Sequence, residues 1–178
     1  MENKVVPKNI FIDMDGVLVD FEKGISQLIG HPLGSDNYGH SEYDRRKQEL
    51  TDKRCFRKLP PMVDYHELIG YVKHTGLNWE ILTAAGAINR QLVVYDKTEW
   101  IKEYVDPFVV VTCTYSGNQK KIFAQKGNVL IDDRPENIEA WESEGGIGIV
   151  HKNARDTINE LKKLRSPLKL VKEGVENA

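Results

Sequence analysis

Five short apolar runs, several of them lacking polar alternation, constrain this chain more than any other feature. They are Asn9–Asp15, Trp79–Ala84, Phe108–Cys113, Val129–Asp133 and Ile147–His151. A strand with one wet face alternates apolar and polar residues, so continuous apolar runs of this length predict strands buried on both faces. Helical stripes lie between the runs. Tyr65, Leu68, Ile69 and Val72 follow i, i+3, i+4, i+7 spacing after Pro60-Pro61, and Gly76 supplies a stop. Ile138 and Trp141 sit three apart ahead of Gly145-Gly146, and Ile158, Leu161 and Leu164 repeat the pattern before Pro167. Alternating strands and helices predict an α/β fold, a parallel sheet with helices on both faces. Right-handed crossovers then bring the loops after each strand to one carboxyl-end edge, where such sheets bind ligands.

Residues 22–58 break this rhythm. They hold Gly30, Pro32, Gly34 and Gly39, the rings of His31, Tyr38, His40 and Tyr43, and a charged run from Asp44 to Arg54. The stretch reads as a small, partly helical insertion standing over the carboxyl edge of the first strand. Residues 1–21 and 59–178 then make up the core. The 178 residues suffice for one such core, which needs no disulfide or structural metal. Beyond Pro167 the tail either frays or pairs Leu168–Val171 as an edge strand.

Charge argues against a dedicated nucleic-acid coat. The 25 Lys+Arg nearly balance the 27 Asp+Glu, whereas domains that track nucleic-acid phosphates carry a basic excess. Met1 to Lys8 is polar and unlike a signal peptide, and no apolar run approaches the ~20 residues that span a bilayer. With two cysteines and no glycosylation sequon, the expectation is a reduced, cytoplasmic protein.

The chemistry lies in the acids that end two of the runs. Ile10-Phe11-Ile12-Asp13-Met14-Asp15-Gly16 puts Asp13 and Asp15 on one side of a strand end, because strand side chains repeat with period two. Like charges held so close need a cation or a shared proton, and an all-oxygen donor set suits Mg2+. An Asp-Gly pair also simply ends strands at surface turns. Val129-Leu130-Ile131-Asp132-Asp133 repeats the plan, and parallel neighbours would converge all four acids on one edge. Read alone, Asp132-Asp133 could equally begin a helix. Ile81-Leu82-Thr83-Ala84 is a third apolar run ending in a hydroxyl, with backbone N–H groups behind it suited to phosphate oxygens. Ser116-Gly117-Asn118-Gln119-Lys120-Lys121 opens a helix whose lysine offsets the acids and reaches a phosphate. Lys120 fits better than Lys121, since it leaves Phe123 and Ala124 at apolar positions. Lys97 is a weaker candidate, expected to pair with Glu99 or solvent. Trp100 and Trp141 read as core residues rather than as base-stacking platforms.

The order and spacing of these elements resemble the haloacid dehalogenase superfamily of phosphotransferases. Asp13-Met14-Asp15-Gly16-Val17-Leu18 is similar to its first motif, Thr83 to its second, Lys120 to its third and Asp132-Asp133 to its fourth. The longer run to Val19-Asp20-Phe21 is closest to the 5′(3′)-deoxyribonucleotidase family. So are Phe56-Arg57-Lys58-Leu59-Pro60-Pro61, Lys97-Thr98-Glu99-Trp100 and Leu130-Ile131-Asp132-Asp133-Arg134-Pro135. The resemblance implies a three-layer Rossmann-like, haloacid dehalogenase-like core in which residues 22–58 form the cap. It implies Asp13 as nucleophile, Asp15 as general acid and base, and Thr83, Ala84 and Lys120 as phosphate ligands. Mg2+ would sit among Asp13, the Asp15 carbonyl and the Asp132/Asp133 pair, either of the pair being the direct ligand. Phe21 is the first choice for contact with a base, or else a buried hinge residue. The activity implied is Mg2+-dependent hydrolysis of a nucleoside monophosphate, deoxyribonucleotides first, with no membrane or nucleic-acid partner. Alternatives are a polynucleotide end phosphatase, another small-molecule phosphatase of the superfamily, or a noncatalytic module that kept the fold.

Overall fold

A computed structural model describes residues 6–30 and 40–165. The tail beyond Pro167 lies outside the described residues, and with it the edge strand considered for Leu168–Val171. Five strands form one sheet: β1 (Asn9–Ile12), β2 (Asn78–Ala84), β3 (Val111–Thr114), β4 (Asn128–Asp132) and β5 (Ile147–Val150). Their order is β3-β2-β1-β4-β5, and every pairing is parallel. The helices are α1 (Phe21–Ile29), α2 (His40–Asp52), α3 (Tyr65–His74), α4 (Arg90–Tyr104), α5 (Pro135–Ser143) and α6 (Ala154–Arg165).

The expected α/β architecture is what forms. On one face Ile10, Ile12, Ile81, Val129 and Ile131 pack with Leu68 and Val72 of α3, Trp100 and Ile101 of α4, and Leu161 of α6. On the other, Phe11, Leu82 and Leu130 meet Ile138 and Trp141 of α5. Both tryptophans are fully buried, and their indole N–H groups donate to the carbonyls of Leu59 and Asn128. They are core residues, as their spacing indicated. Ile25, Leu50, Cys55 and Phe56, from the 22–58 stretch, belong to the same apolar cluster as the sheet.

Local departures from the pattern have local causes. β3 begins at Val111 rather than Phe108, because the Asp106 carboxylate accepts the Phe108 N–H (2.9 Å) and holds a turn that leaves Phe108 91% exposed. Between β3 and β4 the chain forms a 3-10 helix, Gly117–Phe123, instead of an α-helix. There Gly117 lies against the Asn137 side chain, where a Cβ would come within 2.3 Å.

The register sets the site. Ile12 pairs with Ile81 on one side and Ile131 on the other, so Asp13, Thr83 and Asp132 lie near one another at the carboxyl edge.

Candidate active site

β1 ends because Met14 turns the chain: its carbonyl accepts the amides of Val17, Leu18 and Val19 (3.3, 2.8 and 3.0 Å). Asp13 sits at the start of this loop, with Oδ1 accepting the Met14 N–H at 2.7 Å. Gly16 adopts φ +76° beside Asp133, whose Oδ2 occupies the place of a Cβ (2.1 Å). No other residue type fits both constraints. The carboxylates of Asp13, Asp132 and Asp133 approach within 4.8 Å of one another.

Two buried lysines meet the acids, Lys120 within this cluster and Lys97 at Asp15. Lys120, 1% exposed, places Nζ 2.8 Å from Asp13 Oδ2 and 2.5 Å from Asp132 Oδ2. Burial works to discharge Lys120, but the charges of Asp13 and Asp132 outweigh it and raise its pKa. Lys121 faces outward toward Glu144 (3.7 Å). The second lysine corrects the sequence reading. Lys97, expected to meet Glu99 or solvent, is fully buried, with Nζ 2.6 Å from Asp15 Oδ2 and 2.9 Å from Thr83 Oγ1. A signal for it does exist in the sequence. Val93, Asp96, Lys97, Trp100 and Ile101 form one inward helical stripe, and a lysine within such a stripe needs a buried anion.

The other oxygen of Asp15, Oδ1, is buried and has no hydrogen-bond partner among the described residues. Thr83 is also fully buried. Its hydroxyl accepts from Lys97, while Ala84, Ala85 and Gly86 face the open cavity.

Asp132 and Asp133 differ in their surroundings. Asp132 is fully buried and accepts from Lys120, from the Arg134 N–H (3.0 Å) and from Asn137 Nδ2 (3.0 and 3.1 Å). Burial, then the charge of Asp13, push its carboxyl up against the opposing pull of Lys120. Asp133 reaches solvent on one side, yet its pKa is pushed up to about 7, by partial burial first and then by Asp13 and Asp132. Such a carboxylate, crowded by like charges, is a ready cation ligand. The donor set therefore fits a hard divalent ion: Asp13, Asp133 and the Asp15 carbonyl would hold it, and Asp132 would be fixed behind them.

The cavity above these groups has a volume of about 640 Å3, and Phe21, Lys47, Phe56, Met62 and Tyr115 join its lining. Phe21 tilts against Phe56, with ring centroids 6.2 Å apart. A groove of about 650 Å3 lies at the opposite end of the sheet, beside Asn9, Trp79 and Phe108. Asp13, Asp15, Asp132 and Asp133 are not among its lining residues.

A sequence profile described as "5' nucleotidase, deoxy (Pyrimidine), cytosolic type C protein" matches residues 6–163. The chain belongs to this family. The matched span includes the acidic loop, both buried lysines and the Asp132-Asp133 pair. Among solved structures, the chain resembles a haloacid dehalogenase-superfamily hydrolase, subfamily IA, from Geobacter sulfurreducens. The TM-score is 0.53 at 13% identity, covering 90% of this chain and 99% of that one. A haloacid dehalogenase-like hydrolase from Xanthomonas campestris gives a TM-score of 0.52 at 13% identity, covering 84% of each chain. A hydrolase of the same superfamily from Deinococcus radiodurans, with bound phosphate and sodium, gives 0.50 at 13% identity, covering 81% of this chain and 80% of that one. These likenesses establish the fold, and a search of the curated proteins finds no match. Fold and family together make the chain a haloacid dehalogenase-type phosphatase of the nucleotidase kind.

Proposed function

We propose that the protein is a Mg2+-dependent phosphomonoesterase that hydrolyses nucleoside monophosphates, deoxyribonucleotides foremost, through an aspartyl-phosphate on Asp13. The observation that carries this reading is Asp15 Oδ1, two residues along the loop from Asp13: a buried carboxylate oxygen with no hydrogen-bond partner among the described residues. Asp13 attacks phosphorus; the P–O ester bond breaks as Asp15 gives a proton to the leaving alkoxide. Water then attacks the phosphoryl-aspartate, loses its proton to Asp15, and phosphate departs with Asp13 restored. Lys120, the Ala84 N–H and the Thr83 hydroxyl hydrogen hold the phosphoryl oxygens. Thr83 has its hydrogen to donate because its oxygen accepts from Lys97. Bound Mg2+ supplies positive charge against the phosphoryl oxygens. Residues 22–58 serve as the cap, with Phe21 touching the base, and the family's description supports a cytosolic setting.

Phosphate release from a panel of 5′- and 3′-nucleoside monophosphates, with Mg2+ or with EDTA, tests the reading. A deoxyribonucleotide should be hydrolysed with the highest kcat/KM, and EDTA should abolish turnover. A panel without activity, or activity indifferent to EDTA, would contradict it.

A further inference from the structure

Arg90, the first residue of α4, spends its hydrogen bonds on the backbone. Nη1 donates to the Thr114 carbonyl at 2.7 Å and points at that of Gly86 at 3.4 Å, while Nη2 donates to Cys113 at 2.5 Å. These carbonyls belong to the end of β3 and to the loop after β2, so the guanidinium clamps two strand ends at the rim of the catalytic cavity. Its central carbon, Cζ, also lies over the Tyr115 ring, 4.0 Å from the ring centroid. The backbone of Tyr115 is held as well, its N–H donating to Gln119 Oε1 at 2.9 Å. A ring fixed from below and along its own backbone is nevertheless 58% exposed and lines the cavity that contains Asp13 and Asp15.

We propose that Tyr115, backed by Arg90, is the platform on which the substrate's nucleobase stacks. This makes it a specificity-determining residue, and the inference rests on the nucleotidase reading above. Register gives the distance. Thr114 pairs with Ala84 on β2, and β2 neighbours β1, so the backbone that bears the ring lies two strand spacings, about 10 Å, from the strand that leads into Asp13. A phosphate and a pentose together bridge such a gap, leaving the base over the ring. The cation beneath fixes the ring before substrate arrives, so little side-chain freedom is lost on binding. Stacking of this kind tolerates every base. Arg90 serves this arrangement as a clamp, since both of its terminal nitrogens donate to backbone carbonyls. The exposed phenol is not needed as an acid, since Asp15 lies beside the nucleophile.

The test compares a deoxyribonucleoside 5′-monophosphate with deoxyribose 5-phosphate, which lacks the base, on wild type, Tyr115→Ala and Tyr115→Phe. Tyr115→Ala should lower kcat/KM for the nucleotide about 5- to 100-fold, chiefly through KM. Its loss on deoxyribose 5-phosphate should stay below about threefold. Tyr115→Phe, which keeps the ring, should recover most of the loss. Equal losses on both substrates, an intact nucleotide kcat/KM in Tyr115→Ala, or a Phe variant as poor as Ala would each overturn the platform alone. A wild type that does not prefer the nucleotide over the bare sugar phosphate would overturn the nucleotidase reading and the platform with it.

Discussion

Lys97 holds one oxygen of Asp15 and leaves the other free, and that asymmetry is what an acid–base carboxylate requires. Lys97 Nζ donates to Asp15 Oδ2 and to Thr83 Oγ1, while Asp15 Oδ1 has no hydrogen-bond partner among the described residues. Lys97→Met keeps most of the volume and removes the hold. Its kcat on a nucleotide should fall by about 10²-fold, the scale of a general acid's contribution, with KM moving far less. The loss should be smaller in the bond-breaking step with p-nitrophenyl phosphate, whose leaving group needs no proton. An unchanged kcat would mean that Lys97 is only a buried counter-ion. The acids were legible because two apolar runs each end in a carboxylate pair, although β1 stops at Ile12 and a loop rather than the strand carries Asp13 and Asp15. Lys97 was not, because a lysine on a helix is ordinarily a solvated side chain, and only its place in the stripe of Val93, Trp100 and Ile101 gave it away. The choice between Asp132 and Asp133 was likewise beyond sequence. It depends on Asn137 and on the Arg134 N–H, which reach Asp132 through the turn into α5.

α4 ties Arg54 of the 22–58 stretch to the acidic loop after β1. Asp96, fully buried, takes a bidentate contact from Arg54, the residue with φ +55° that ends the charged run of the insertion. Lys97, its neighbour in sequence, reaches Asp15. Arg54→Met would strand a carboxylate in the core, whereas Arg57→Met removes only a surface contact with Glu99 at 3.7 Å. Arg54→Met should therefore lower Tm clearly more than Arg57→Met, as read by thermal unfolding in parallel. Equal shifts would show that Asp96 finds water when Arg54 is gone. At this scale the five strands were readable from uninterrupted apolar runs, and α3, α5 and α6 from their stripes. The 3-10 helix was not, since its geometry answers to the contact between Gly117 and Asn137, twenty residues apart in sequence.

Across the whole molecule, two buried lysines face four carboxylates at one sheet edge, and the residual charge is what a divalent cation cancels. With its pKa pushed up to about 7, against 3.8 unperturbed, Asp133 binds a proton in the folded chain that the unfolded chain has lost. Its contribution without metal therefore disfavours the fold increasingly as pH rises from about 4 to about 7. Cation and proton compete for the same carboxylate, so the Tm gain from Mg2+ should be larger at pH 8 than at pH 6. Thermal shifts across a Mg2+ titration at both pH values measure this, and equal gains would separate Asp133 from the metal. The covalent step on Asp13 is the claim on which every role assigned here depends. Mixing enzyme with a hydrolysed nucleotide, quenching in acid within one turnover and mapping the peptides by mass should place a phosphoryl group on the peptide containing Asp13. That adduct should be absent in Asp13→Asn. Single-turnover samples with product formed and no adduct, or an adduct on another residue, would contradict the account.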